Sequence, residues 1–366
     1  FIGSNLSNEL TIKNTIIRNG QNFGITIHGG FYDKITFDNN IISGLPTTQI
    51  GFTGIKVLNA NALAIVFQNN KITDARIKYD SNNSFWNHPG GAVIIESPVM
   101  ANINSVTFKN DLFSNSNGKK AAVFVSASKI SLQGVNANGN FGAVGGGCYL
   151  HGIQVDINGS TFFNNVNITT SDSGKPINSG GGGVTVELTE PGSKLNVSGC
   201  TFSTNNLEGF PGGGLRIFGD NQDLNEILVQ ECSFKENATN LYGGAVAISG
   251  FDSLNQVFMA KNRFESNVAE GSKGGSGVWI DQVRTINLLS LQESPLIKNH
   301  EAKEGNGGFL SVNNLSVVNE FRYWKNMHSG YSRSGKNGGV VFLDADTTTL
   351  FKFSENSGIS GEAGLT

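Results

Sequence analysis

The chain has 366 residues, a formal net charge of −3 and only 15% charged residues. It carries no basic run and no stretch near the ~18 apolar residues of a membrane-crossing helix, which argues against a nucleic-acid partner and a membrane-spanning segment. With 48 Gly, 25 Phe and just 7 Pro, it has neither the low hydrophobicity of disordered chains nor the period of collagen, and instead suggests many short strands joined by tight turns.

Read in chain order, two elements recur in phase. The first is Gly-led and alternating. Degenerate copies begin at Gly24 and Gly54, and clear ones at Gly90, Gly145, Gly181, Gly212, Gly243, Gly274, Gly307 and Gly338; from Gly181 on they return about every 31 residues. The second reads apolar, two variable residues, Asn. Its firmest copies are Phe37 with Asn40, Phe67 with Asn70, Phe162 with Asn165, Phe202 with Asn205, Phe234 with Asn237, Phe264 with Asn267 and Phe353 with Asn356. Weaker copies pair Ile16 with Asn19, Val135 with Asn138, Leu296 with Asn299 and Tyr323 with Asn326, and the stretch around Phe108 and Phe113 is irregular.

A period of two with one apolar face marks a strand buried on that face. Coils stacked about 4.8 Å apart would set Phe over Phe, and each Asn would take a turn, tolerate left-handed φ and join an amide ladder. Glycine permits positive φ and close approach of neighbouring backbones. The expected fold is all-β, a parallel β-helix of about twelve coils, ~31 residues each, in one solenoid spanning 1–366. Right-handedness is expected from the general rule for parallel crossovers. The opening at Phe1 and a fresh Gly element after Asn356 suggest that the coils continue past both ends.

Cys200 and Cys232 hold the same repeat position in consecutive coils, with Cα atoms expected near 5 Å apart. A disulfide fits that spacing; a reduced pair filling a small-residue column fits the parallel side-chain directions. Cys148 reads as core. Asp220, Asp252, Asp281 and Asp344 each follow a Gly-led strand and could line one edge, as solvated turn aspartates or as an edge that binds Ca²⁺ or a basic partner. His28 and His151 follow such strands too, in turn or surface positions. Trp86 and His88, in the insertion 79–88, are the candidate ligand-contact loop, and Trp324 is a second exposed aromatic able to hold a sugar ring. Function, if local, belongs where the repeat breaks: 46–52, 79–88, 169–178, 187–192 and 327–336. Seven N-x-S/T sequons, at Asn5, Asn82, Asn158, Asn167, Asn196, Asn237 and Asn314, match what this composition gives by chance.

The paired motifs resemble the polymorphic outer membrane protein repeats, with Gly90-Gly-Ala-Val93 and Gly243-Gly-Ala-Val246 as full matches to the family's second motif. The resemblance is at the level of the repeat and covers nearly the whole chain. It implies a surface-exposed or secreted passenger, adhesive or structural, without a cofactor. The C-terminal barrel of the chlamydial members has no counterpart here. The expected function is therefore a non-catalytic extracellular or cell-surface scaffold whose partner is a protein, a glycan or further copies of itself. A polysaccharide-acting enzyme and a filament subunit are the alternatives. Arg76-Ile-Lys78 echoes a pectin-hydrolase tripeptide, but no clustered aspartates or Gly-His-Gly accompany it.

Overall fold

A computed structural model describes residues 8–20, 22–44, 52–76, 91–118, 121–142, 145–167, 181–222, 225–304, 307–334 and 340–357. The chain is a parallel β-helix. One coil runs through a Gly-led strand (Val184–Leu188), a second strand (Lys194–Ser198), a third (Thr201–Ser203) and a two-residue fourth (Asn206–Leu207). Each pairs in parallel with its equivalents in the coils before and after. In the last four coils the first two strands merge into single long ones, Val246–Ala260, Val278–Gln292, Leu310–Trp324 and Val341–Ser354.

The alternation read from the sequence sets what lies inside. Successive side chains of a strand point to opposite faces, so inward positions form columns down the axis. The second-strand column includes Phe37, Phe67, Phe108, Leu132, Ile157, Val197, Val229, Met259, Leu291, Tyr323 and Phe353. The third-strand column includes Ile42, Ile72, Phe113, Ala137, Phe162, Phe202, Phe234, Phe264 and Ile297. One apolar core joins them from Ile27 to Val341.

These columns divide the motif between two corners of the coil. Phe37, Phe67 and Phe108 stack at 4.6 and 4.5 Å on the second strand, and Tyr323 and Phe353 at 5.1 Å. Phe162, Phe202, Phe234 and Phe264 stack on the third strand, at 5.0, 4.8 and 5.2 Å. The single Phe stack and Asn column expected from the sequence are thus two stacks and two columns. The Asn of Phe37-x-x-Asn40, Phe67-x-x-Asn70, Tyr323-x-x-Asn326 and Phe353-x-x-Asn356 stands at the first corner. That of Phe162-x-x-Asn165, Phe202-x-x-Asn205, Phe234-x-x-Asn237 and Phe264-x-x-Asn267 stands at the second. The irregular stretch becomes regular in this frame: Phe108 leads to Asp111 at the first corner and Phe113 to Ser116 at the second.

The left-handed φ also moves. It belongs to the residue before the motif Asn, at Asn39, Asn69, Asn164, Thr204, Glu236, Ser266, Lys325 and Glu355. The motif Asn keeps its side chain inside and uses it on the previous coil. The Oδ1 of Asn70 accepts the N–H of Asn40 at 3.0 Å, while its Nδ2 donates to the Phe37 carbonyl at 2.9 Å. Asn205 and Asn237 do the same at the second corner. Each rung thereby satisfies two buried backbone groups that the bend has removed from the ladder, groups that would be costly to leave unpaired. Three of the weaker copies fall out of register: Asn138 lies within a third strand, while Asn19 has the left-handed φ itself and Asn299 precedes the ladder position held by His300.

Glycine works by two mechanisms in the Gly-led element. Gly212 and Gly243 have φ of +93° and +68°. Gly213 has ordinary φ, but a Cβ there would lie 2.5 Å from the carbonyl oxygens of Ala238 and Gly244. The next coil's backbone passes through the space a side chain would need. Coil length varies around this frame: equivalent ladder residues are 25, 30 and 41 positions apart early on, and 32 and 30 later.

Candidate functional site: a groove on the early coils

The outer surface carries an open groove where the Gly-led strands bend into the second strands of the early coils. It encloses about 330 Å³ and is lined by Asn8, Phe31, Tyr32, Asp33, Asn61, Leu63, Asn102 and Asn104 among others. That volume is at the lower end of small-ligand sites.

The local sequence explains its shape. Gly29 and Gly30 both have positive φ, +70° and +91°, and turn the chain sharply before Phe31. Without a Cβ, Gly30 leaves room for the Tyr32 ring, whose Cε2 lies 2.7 Å from where that Cβ would be. Parallel register then sets Phe31 beside Asn61 and Tyr32 beside Ala62, and a bridge sets Ala62 beside Ile103. The 3₁₀ turn Met100–Asn102 closes one side, with Asn102 Nδ2 donating to Ser97 Oγ at 3.0 Å. On the other, Asp33 and Asn8 are tied reciprocally: Asn8 N–H donates to Asp33 Oδ2 at 2.9 Å and Asp33 N–H to the Asn8 carbonyl at 3.0 Å.

The lining has a mixed character. Phe31 is 76% exposed and Leu63 60%, an uncommon exposure for large apolar groups facing one concavity. Around them stand the amides of Asn61, Asn102 and Asn104 and the Asp33 carboxylate. Asp33 is the single acidic residue among the described lining residues.

Other sequence candidates fall elsewhere. Trp86, His88 and the segment 79–88 lie outside the described residues, as do 169–178 and most of 46–52. Trp324, expected to be exposed, is half-buried: Lys325 and Lys352 sit over its ring at 4.2 and 5.0 Å, and its Nε1 donates to Glu355 Oε1 at 2.8 Å, so it is not an open platform. Asp281 is buried, ion-paired with Lys273, and accepts from Asn314 Nδ2 at 2.8 Å, while Asp252 pairs with Arg284. The aspartate edge is thus tied up in ion pairs at these positions. Among the described residues no group of three or more His, Cys, Asp and Glu could hold a metal ion. His151 ends a Gly-led strand rather than lying in a turn, and is bonded to Ser126 Oγ at 3.2 Å and Thr189 Oγ1 at 2.9 Å. The sequon residues Asn167 and Asn237 are fully buried.

Cys200 and Cys232 are free thiols in the first-corner Asn column. Cys200 N–H donates to Cys232 Sγ at 3.4 Å and Cys232 N–H to Asn262 Oδ1 at 2.9 Å, so sulfur takes the acceptor role of the amide. The hydrogen bond with Cys200, followed by burial, holds the Cys232 proton well above the ordinary thiol range.

Sequence reasoning missed three features. Asp111 replaces Asn in the first-corner ladder; it accepts the N–H of Asn70 at 2.7 Å, and burial pushes its carboxyl up to about 7. His300 is buried at the second-corner ladder position; burial lowers it to about 3, the charge of His328 adds to this, and the facing Phe264 carbonyl acts the other way. Arg216 is buried on the outward face of a Gly-led strand. The one signal in the sequence was a charged or titratable residue at a ladder or strand position that other coils fill with Asn, Thr or Ala.

Set against known proteins, the chain matches no family model, no curated protein and no solved structure. No helix among the described residues is long and apolar enough to cross a membrane.

Proposed function

We propose that this β-helix is a non-catalytic surface scaffold that binds carbohydrate through the groove of its early coils. The observation that carries the reading is the exposed pair Phe31 and Leu63 set among the Asn61, Asn102 and Asn104 amides and the Asp33 carboxylate. A sugar ring offers an apolar face of C–H groups and a rim of hydroxyls. An open ring of Phe serves the first, and amides serve the second as both donors and acceptors. Three coils at about 4.8 Å spacing offer roughly 10 Å of groove, room for two sugar units. Binding without turnover is favoured because glycoside hydrolysis calls for two carboxylates, whereas the described lining supplies Asp33. The motif resemblance to polymorphic outer membrane protein repeats supports an extracellular or cell-surface setting of adhesive type.

The test is a glycan array followed by calorimetry on the hits, with the whole chain and with Phe31→Ala and Asn61→Ala. Phe31 is mostly exposed, so its removal should leave the melting temperature within about 2 °C and weaken binding by about tenfold. Equal binding by both variants would remove the groove from consideration, and reducing-end release from a bound oligosaccharide would replace the scaffold by an enzyme.

A further inference from the structure

The groove of the early coils has an internal order. Tyr32 packs against the core and Ala62 is buried. Positions on either side of an inward residue face outward together. Phe31 and Asp33 therefore flank Tyr32 on the groove side, and Asn61 and Leu63 flank Ala62. Parallel register sets Phe31 beside Asn61, while the pairs Tyr32 with Ala62 and Lys34 with Ala64 enclose Asp33 and Leu63 as neighbours. Four groups thus stand at the corners of a rectangle, about 4.8 Å along the solenoid axis and roughly 7 Å along the strand. Its two diagonals, about 8 Å each, differ in character. One joins the exposed apolar groups Phe31 and Leu63. The other joins the Asp33 carboxylate and the Asn61 amide.

The polar diagonal has capacity to spare. Among the described residues, Asp33 uses Oδ2 on the Asn8 N–H at 2.9 Å, which leaves Oδ1, and the Asn61 side chain makes no hydrogen bond. A carboxylate only accepts, whereas the asparagine Nδ2 donates. The rectangle therefore suits a ligand group with two apolar ends, a donor on one flank and an acceptor on the opposite flank. A secondary amide has this shape. It is planar and trans, so its N–H and C=O point to opposite sides of the line joining its two carbon substituents, which lie about 3.8 Å apart. In a sugar that bears an acetamido group, one substituent is the ring and the other a methyl. A hydroxyl in the same place has no methyl, and an ammonium has neither methyl nor acceptor.

We propose, on the basis of the carbohydrate reading of this groove, that it selects acetamido sugars. The pyranose face lies on Phe31 and the methyl on Leu63; the acetamido N–H donates to Asp33 Oδ1, and its carbonyl accepts from Asn61 Nδ2. Asn104, in the next coil, is left for the hydroxyls of a second unit.

The experiment is isothermal calorimetry of the full chain with di-N-acetylchitobiose, its de-N-acetylated form and cellobiose, which carry acetamide, ammonium and hydroxyl at the same ring position. The acetylated sugar should bind about tenfold more tightly than either of the others. Leu63→Ala and Asp33→Ala should each cut that preference about threefold. Saturation-transfer NMR on the parent should show the acetyl methyl protons among the most strongly saturated, a readout that needs no variant and stands if one misfolds. Equal or tighter binding of cellobiose or the ammonium form overturns the acetamido assignment and leaves the carbohydrate reading in place. So does an acetyl methyl that takes up no saturation, or a preference unchanged in both variants. Failure of all three sugars while the glycan array finds other ligands has the same meaning. An array without any ligand removes the carbohydrate reading and this assignment with it.

Discussion

Asp111 stands at the first corner between Asn70 in the coil before and Val135 in the coil after, where an amide would complete the ladder. Its Oδ1 accepts the N–H and Nδ2 of Asn70, and its Oδ2 accepts the N–H of Lys109 at 3.0 Å. Burial outweighs these bonds and raises the carboxyl from 3.8 to about 7. The folded state therefore prefers the neutral acid. Stability from this group is full below about pH 4, declines as pH rises, and is lost above about 7. Asp111→Asn keeps an acceptor for Asn70 at the loss of the Lys109 bond, and removes the titration. Its advantage over the parent should grow from pH 5 to pH 8 and reach about 1–3 kcal/mol. Urea melts at the two pH values check this; an advantage that does not change with pH would show that Asp111 does not titrate in the folded state. The two cysteines invite the reverse comparison. Sulfur is a weaker acceptor than an amide oxygen, so Cys232→Asn, beneath the intact Asn262 rung, should raise stability by about 1 kcal/mol in the same melts.

At the scale of the element, the repeat was legible because the second strands alternate and each coil carries the same turn chemistry. What could not be read was which turn. Met259-Ala-Lys-Asn262 and Phe264-Glu-Ser-Asn267 occur in one coil, the first at one corner and the second at the other, with left-handed φ at Lys261 (56°) and Ser266 (54°). Both corners ask for an apolar residue inside, a left-handed residue and an inward amide, so the motif is the same at both. Only its distance from the next glycines differs, shorter from Phe202 to Gly212 than from Phe37 to Gly54. The groove was less legible still, since it arises from register: Phe31, Asn61 and Asn102 are far apart in sequence and adjacent only because the coils stack. The Gly-led element makes its own prediction. Gly213→Ala places a methyl 2.5 Å from two backbone oxygens, and neighbouring coils cannot separate without breaking the N–H bonds from Gly213 and Gly214 to Gly243 and Gly244. It should cost about 2–3 kcal/mol, read by thermal melting. Gly192→Ala, where nothing lies within 4 Å, should cost less, about 1 kcal/mol for its φ of +74°.

At the scale of the molecule, stability in a solenoid is a sum of coils and of contacts between neighbours, so one weak coil can open without the rest. The coils around 264–328 have a built-in weakness. Ser276 Oγ donates to the Gly308 carbonyl, so its bond with His300 Nδ1 at 3.1 Å makes that nitrogen the donor, and His300 Nε2 is left bare among Phe264 and Phe309. Nearby, the Tyr323 hydroxyl meets His328 Nε2 at 2.7 Å, and burial lowers His328 to about 4. Both folded-state values lie below the 6.5 of the free side chain. The contribution of these neutral rings is intact above about pH 6.5 and is lost as pH falls toward 4 and then 3. Each proton taken up also repels the next, because the two rings feel one another's charge. Hydrogen exchange between pH 7 and pH 4, corrected for intrinsic rates, should therefore show protection falling first in Val278–Gln292 and Leu310–Trp324, before Lys129–Gln133 and Gln154–Asn158. His300→Asn would place at the second corner the residue that Asn237 and Asn267 already supply, able to reach the Phe264 carbonyl without a titrating ring. In that variant the loss of protection should shift down by about one pH unit; uniform loss along the rod in both proteins would show that acid acts on the solenoid as a whole and not through these histidines.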